Sequence, residues 1–224
     1  MKLSKLFHNC AYDIPYETVG KDVNYAFVED KKKRTLYIYF QGSNSTTDWL
    51  RNFLFRKRPY KDMKIPYNVH RGFLAAWKEV EDIIIDKILE EDGEGAFYWQ
   101  HVVIVGYSHG GALAAFCHEC VWWYRRDLRE TGLIGYGFEA PRIYAGYKVK
   151  KELQERWATF FVIRCGKDIV THCPPSFFGY THVGEIINIE GDISLVEERV
   201  PKCVKYHFPQ VVYDGLLKWE GKDK

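Results

Sequence analysis

The feature that most constrains this chain is a serine between two glycines, at the junction of a predicted strand and a predicted helix. Gly106-Tyr107-Ser108-His109-Gly110 fits the pattern G-x-S-x-G, a sharp strand-to-helix turn with serine at its tip. Glycine is needed on both sides because a side chain there would crowd the neighbouring backbone. The β-branched run Val102–Val105 precedes the pattern and a small-residue segment, Gly110–Ala115, follows it. The sequence therefore predicts a nucleophile elbow with Ser108 as the nucleophile, rather than a turn with an idle serine.

The segments around this turn alternate between strand and helix patterns. Strands are predicted at Val23–Glu29, Thr35–Phe40, Val102–Val105, Leu133–Phe138, Thr159–Arg164 and Glu185–Ile189. Helices are predicted at Phe73–Leu89, Ala112–Leu128, Tyr147–Trp157 and Val211–Trp219. This alternation is typical of an α/β protein with a mostly parallel central sheet flanked by helices. No repeat or linker interrupts the 224 residues, so we expect one domain over residues 1–224.

Charge and hydropathy exclude two classes of protein. The chain carries 32 basic and 30 acidic residues, and this balance argues against a dedicated nucleic-acid-binding protein. The longest stretch without Asp, Glu, Lys or Arg, Gly95–His118, changes its pattern midway. We interpret it as a buried strand, a turn and a buried helix, and we predict no transmembrane segment.

The cysteines and the first residues bear on location and cofactors. No secretion signal is visible, so we expect a cytoplasmic protein with reduced thiols, in peripheral contact with membranes at most. Cys117-His118-Glu119-Cys120 is a lone C-x-x-C, which we interpret as buried thiols on a helix, with a redox pair as the alternative. A zinc site would need two more ligands at suitable spacing, so no metal and no cofactor are expected.

A serine hydroxyl needs a base to remove its proton, and in this kind of elbow the acid and then the histidine follow the serine in the chain. Asp168 comes directly after the strand predicted at Thr159–Arg164 and is the candidate acid, with Asp192 as the alternative. The candidates for the base are His172, His182 and His207.

Position along the chain separates these histidines. His172 is four residues from Asp168 and shares its loop, and His182 immediately precedes a predicted strand. His207 lies in a loop before the last predicted helix, which is the usual place of the base. We therefore predict His207 as the base.

Attack on a carbonyl also requires hydrogen-bond donors for the oxygen that becomes negatively charged. One donor is the backbone N–H of His109, which follows the nucleophile. A second is expected in the loop after Thr35–Phe40, where Ser43 offers both an N–H and a hydroxyl. An ordinary turn at Gly42-Ser43 is the alternative.

From about Tyr37 to Tyr213 the chain resembles the class 3 lipases, the fungal-lipase-like family of α/β-hydrolases. The resemblance rests on seven short matches in the family's order: Phe40–Ser43, Asp48–Asn52, Val69–Phe73, Gly106–Ala112, Gly137–Arg142, Asp168–Pro175 and Gly179–Gly184. It implies the α/β-hydrolase fold and hydrolysis of carboxylic esters, in particular lipid esters such as acylglycerols or phospholipids. Three residues depart from the family pattern: Gln41 replaces an arginine, Thr171 a common proline, and Tyr206 a frequent aspartate before the histidine.

Residues 46–64 are predicted to form a short lid over the site. This segment mixes basic side chains with bulky apolar ones, among them Trp49, Leu50, Phe53 and Leu54. Such a mixture suits the surface of an anionic lipid layer, so we expect these residues to contact substrate or a lipid surface. The alternative is a loop whose apolar side packs on the core and whose basic side is solvated.

Two other functions share parts of this pattern. An acyltransferase or thioesterase would use the same three residues, since they do not specify the acyl acceptor. A non-catalytic lipid-binding module is a further alternative, although the intact elbow, acid loop and late histidine count against it.

Overall fold

The computed structural model describes residues 2–21, 23–42, 56–60 and 66–222. The strands are β1 (Glu17–Val19), β2 (Val23–Asp30), β3 (Thr35–Phe40), β4 (Lys57–Tyr60), β5 (Tyr67–His70), β6 (His101–Tyr107), β7 (Leu133–Phe138), β8 (Tyr144–Ala145), β9 (Phe160–Cys165), β10 (Tyr180–Thr181) and β11 (Glu185–Ile189). The α-helices are α1 (Leu3–His8), α2 (Arg71–Ile88), α3 (His109–Tyr124), α4 (Lys151–Gln154), α5 (Lys202–Lys205) and α6 (Pro209–Lys222).

The larger sheet has the strand order β1-β2-β3-β6-β7-β9-β11. The pairs β1–β2 and β2–β3 are antiparallel, whereas all the pairs from β3 to β11 are parallel. The predicted α/β architecture with a mostly parallel central sheet is confirmed. Because the carboxyl ends of parallel strands meet at one edge, the segments that follow β3, β6, β7 and β9 converge there.

Helices cover both faces of this sheet. Along β6, Val102 and Ile104 pack in the cluster that includes α2 and α3. Val105 packs instead in the cluster formed with α1 and α6. Successive strand residues point to opposite faces, so a strand buried on both sides needs a continuous apolar run.

A second, smaller sheet has the order β10-β8-β5-β4, and its pairs are antiparallel. Its strand β4 falls within the predicted lid at residues 46–64 and pairs with β5. Tyr60 at the end of β4 is buried, and its ring contacts those of Tyr67 and Phe116. Residues 46–55 and 61–64 of the predicted lid, including Trp49, Leu50, Phe53 and Leu54, lie outside the described residues.

The apolar segment Gly95–His118 forms β6, the serine turn and part of α3, as predicted. No helix in the described part of the chain combines the length and the apolar character that crossing a membrane requires. Cys117 and Cys120 are buried free thiols on α3, and burial raises the pKa of both. They therefore fit the interpretation of small core residues better than that of a redox pair.

Candidate active site

Ser108 forms the turn between β6 and α3 in a strained backbone conformation, with φ +56° and ψ −121°. The flanking glycines leave room for the backbone to turn this sharply. A Cβ on Gly106 would lie 2.0 Å from the Gly110 carbonyl oxygen, and a Cβ on Gly110 would lie 2.2 Å from the Phe40 carbonyl oxygen. Both glycines are thus required by the close approach of backbone to backbone that places Ser108 at the tip.

Ser108, His207 and Asp168 form a continuous hydrogen-bonded chain. The Ser108 Oγ lies 2.8 Å from Nε2 of His207. The other ring nitrogen, Nδ1, lies 2.7 Å from Oδ2 of Asp168. With Nδ1–H donating to the carboxylate, Nε2 presents its lone pair to the serine hydroxyl. The structure therefore brings together the three residues that the sequence predicts as nucleophile, base and acid.

The environment of Asp168 favours its charged form. Burial alone would raise the pKa of this carboxyl, but His207, which donates to Oδ2, and the Val170 backbone N–H hold it below its usual value. The Val170 backbone N–H donates to Oδ1 at 3.0 Å. Asp168 is consequently an anion with both oxygens engaged, directly after β9.

Tyr107 holds the segment that carries His207. Its hydroxyl donates to the His207 backbone carbonyl oxygen. The two rings are also stacked, with centroids 5.4 Å apart and planes 21° apart. Tyr107 was not predicted from sequence, because nothing local indicates a contact with a residue 100 positions away. Tyr107, at the end of the strand that leads into Ser108, therefore restrains the position of the His207 imidazole.

Glu139, directly after β7, is the second residue that sequence reasoning missed. It is fully buried, has φ +50°, and accepts a hydrogen bond from the Cys165 backbone N–H at 2.6 Å. Ligand atoms of Glu139, Asp168 and His207 all lie within 4.8 Å of one another. The available signal was weak: an acidic residue directly after a predicted strand.

This three-residue cluster has the residue types of a metal site. However, both ring nitrogens of His207 already take part in hydrogen bonds, to Ser108 and Asp168. A metal ion would have to displace one of these bonds. The arrangement therefore suits proton transfer from a serine better than metal coordination.

The alternative acid and bases make other contacts. Asp192 is exposed and accepts a hydrogen bond from the Ser194 backbone N–H at 2.9 Å. His172 contacts the Asp168 backbone oxygen at 2.8 Å, and His182 donates from Nε2 to the Thr171 carbonyl oxygen at 2.7 Å. Burial lowers the pKa of His182 to about 3, so that this ring stays neutral.

The three departures from the family pattern each have a local contact. Gln41 accepts a hydrogen bond from the Asn24 side chain at 3.0 Å. Thr171 donates from its hydroxyl to the Asp168 carbonyl oxygen at 3.0 Å, closing the acid loop. Tyr206 packs against Gly166, where φ is +48° and a Cβ would lie 2.2 Å from the tyrosine ring.

The candidate oxyanion donors are described only in part. A Cβ on Gly42 would lie 3.1 Å from the Ser108 Cβ, so the loop after β3 reaches the serine. The next residue, Ser43, lies outside the described residues. His109 is the first residue of α3, and backbone N–H groups at a helix N-terminus favour negative charge. The roles of Ser43 and the His109 amide remain predictions.

The fold and the site together define the α/β-hydrolase class. Within it, residues 37–178 match the family model for lipase (class 3). The chain belongs to the class 3 lipase family. The matched region includes Ser108 and Asp168, while His207 lies beyond it.

Individual relatives agree with this assignment. A lipase of Rhizomucor miehei is 29% identical over 174 residues, covering 76% of this chain and 46% of that protein. The secreted mono- and diacylglycerol lipase 1 of Fusarium solani is 29% identical over 162 residues, covering 72% of this chain and 46% of that protein. The chain thus spans less than half the length of these curated relatives.

The fold comparison covers more of both molecules. A solved structure of Rhizomucor miehei triacylglyceride lipase has a TM-score of 0.68 at 23% identity and covers 91% of this chain and 82% of that one. A lipase structure from Penicillium expansum has a TM-score of 0.64 at 19% identity and covers 84% and 76%. At these identities the comparison shows the shared fold.

The expected cytoplasmic location is wrong. It rested only on the lack of a visible secretion signal in the first residues. The Fusarium solani relative, which matches over 72% of this chain, is described as secreted.

Proposed function

We propose that this chain is a serine hydrolase that cleaves carboxylic esters of lipids. The observation that carries the proposal is the buried hydrogen-bonded chain from Ser108 through His207 to Asp168, built on a strained elbow. Such a chain allows a serine hydroxyl, otherwise a weak nucleophile, to lose its proton as it attacks. Membership in the class 3 lipase family supports an ester as the substrate.

In this mechanism the Ser108 Oγ attacks the ester carbonyl while Nε2 of His207 takes the hydroxyl proton. Asp168 keeps the ring in the required tautomer and stabilises the imidazolium that forms. The backbone N–H of His109, together with Ser43, donates to the oxyanion. His207 then protonates the leaving alcohol. In the second half of the reaction, water attacks the acyl-enzyme while His207 takes a proton from that water. His207 returns the proton to the Ser108 oxygen as the carboxylic acid leaves.

Lipid esters are the proposed substrate class. The relatives include proteins named as lipases and as a mono- and diacylglycerol lipase. In this chain, Arg56, Lys57 and Arg58 are exposed in the described part of the predicted lid. Basic side chains beside an apolar segment favour contact with an anionic lipid layer, and we propose that surface as the place where the substrate is met.

The test is hydrolysis of a p-nitrophenyl ester and of an emulsified acylglycerol. Ser108→Ala should lower kcat/KM by about 10⁴-fold while circular dichroism shows an unchanged fold. Ser176→Ala, at an exposed serine outside the elbow, is the matched control and should keep wild-type activity. A Ser108→Ala enzyme that keeps a tenth of the activity would rule out this nucleophile.

Product analysis identifies the acyl acceptor. When an alcohol is added in the same assay at low concentration, free fatty acid should remain the main product. If the acyl group goes mainly to the added alcohol or to a thiol, the enzyme is an acyltransferase acting through the same three residues.

A further inference from the structure

Glu139 is a carboxyl group for which the proposed mechanism has no role. Its side chain is fully buried, and its backbone adopts a left-handed φ of +50° that residues other than glycine rarely tolerate. An ionised carboxyl in such a place is costly unless it is paired with a cation. No lysine or arginine forms an ion pair with it among the residues that the structure describes.

Four titratable groups face Glu139 from the elements packed around it. Asp168 lies in the loop after β9 and Cys165 at the end of that strand. Tyr107 approaches from the end of β6, and His207 from the segment before α6. None of these carries a permanent positive charge. Two buried carboxyl groups and one buried imidazole therefore lie together, with no cation beside them among the described residues.

The hydrogen bonds decide which carboxyl keeps a proton. Asp168 receives N–H donors on both oxygens, from Val170 and His207, and these favour its anionic form. Glu139 receives a single N–H donor, because the Cys165 backbone N–H donates to its Oε1. Its Oε2 is buried and has no N–H or O–H donor among the described residues. Two anions so close together are unfavourable, so the proton belongs on Oε2 of Glu139.

We propose that Glu139 is a neutral positioning residue, which donates a hydrogen bond from Oε2 to the Asp168 carboxylate and thereby holds that carboxylate towards His207. This inference rests on the proposed function, since it concerns the same site. It is supported by the pKa of Glu139, which burial and the Asp168 charge raise well above its usual value. The same contact lowers the pKa of Asp168 and keeps the shared proton off it.

The test measures the rate at which a fluorophosphonate labels Ser108 as a function of pH, in the full chain. Glu139→Gln retains a neutral side chain that can donate to Asp168 and accept from Cys165. It should label within about threefold of wild type, with the acid limb of the profile at the same pH. Glu139→Ala removes the donor and should label about 10- to 100-fold more slowly, because the Asp168–His207 pair is less well placed.

The glutamine variant also tests the charge of Glu139. If Glu139 were ionised, Glu139→Gln would remove a negative charge beside His207 and shift the acid limb to lower pH. That shift would overturn the proposal, as would wild-type labelling by Glu139→Ala. If Glu139→Ala does not fold, the glutamine profile alone decides. Glu185→Gln, the same change at an exposed position, is the matched control and should leave the profile unchanged.

Infrared spectroscopy separates this inference from the proposed function. At neutral pH the wild type should show the C=O stretch of a buried carboxylic acid, and Glu139→Gln should lack it. If wild-type Ser108 cannot be labelled, the proposed function fails, but the infrared band still shows whether Glu139 holds the proton. Absence of the band in the wild type would overturn the inference even in an active enzyme.

Discussion

At the scale of single residues, His207 and His182 have clearly different surroundings. His207 lies between Ser108 and Asp168, whereas His182 donates to a backbone carbonyl oxygen of the acid loop. Burial holds the pKa of His182 near 3, so it cannot exchange protons in the range where a base operates. The contacts of His182 are those of a residue that stabilises a turn.

We therefore expect His207→Ala to lower ester hydrolysis nearly as much as Ser108→Ala. The double variant should cost little more, because residues that act as a unit have non-additive effects. His182→Ala should spare most of the turnover and lower the melting temperature, since it loses a hydrogen bond worth about 1 kcal/mol. Steady-state kinetics and thermal unfolding of these four variants and the wild type check this. The opposite ranking of the two histidine variants, with both folded, would assign the base to His182.

The residues that could be predicted from the sequence are those with a local signal. Ser108 has its glycines, and Asp168 follows a strand. His207 is predicted by its position before the last helix, in preference to His172 and His182. Tyr107 and Glu139 could not be predicted, because what defines them is contact with residues brought close only by the parallel sheet. Burial of a carboxyl beside another carboxyl has no local sequence pattern.

At the scale of secondary structure, the longer strands of the central sheet and the long helix α2 were predicted best. The β-branched run of β6 and the helical spacing of α2 match the observed elements closely, and β7 matches residue for residue. The helix predicted over Ala112–Leu128 instead starts at His109 and ends at Tyr124. Arg125 then leaves the helical conformation, with φ −112° and ψ 71°, and its buried side chain donates to the backbone oxygen of Ile88 at 2.7 Å.

Elements of only a few residues could not be predicted from the sequence. The helix predicted over Tyr147–Trp157 is an α-helix only at Lys151–Gln154, followed by a 3₁₀ turn. The strands of the second sheet have two to four residues each, too few for an alternating pattern to be recognised. Helix α1, six residues long, was also not predicted. Its side chains Leu6 and Phe7 are buried by packing that only the folded chain provides.

At the scale of the whole molecule, the described residues before and after residues 43–55 lie in different parts of the fold. On one side the chain leaves β3 through Gly42, which lies against Ser108. On the other side, β4, which lies within the predicted lid, is hydrogen-bonded to β5 in the second sheet. The lid over residues 46–64 stays a prediction, and its described strand Lys57–Tyr60 has exposed Lys57 and Arg58 and a buried Tyr60.

If this segment is a lid, its apolar residues should favour aggregated over dissolved substrate, because opening exposes apolar area that lipid covers. The rate on a short-chain triglyceride should then jump at the solubility limit. Replacing Leu50, Phe53 and Leu54 by serine should remove the jump and spare hydrolysis of a soluble p-nitrophenyl ester. A smooth saturation curve for the wild type would mean that no lid controls access, and would favour a plain esterase.

The central claim is that Ser108 is a nucleophile activated by His207. Fluorophosphonate labelling followed by peptide mapping tests it most directly, because the serine oxygen forms a bond to phosphorus as fluoride leaves, whatever the natural substrate. We predict a single phosphonyl group per chain, located on Ser108, lost in Ser108→Ala, strongly slowed in His207→Ala and unchanged in Ser176→Ala. Labelling at another residue, or a His207→Ala variant that labels at the wild-type rate, would contradict the account.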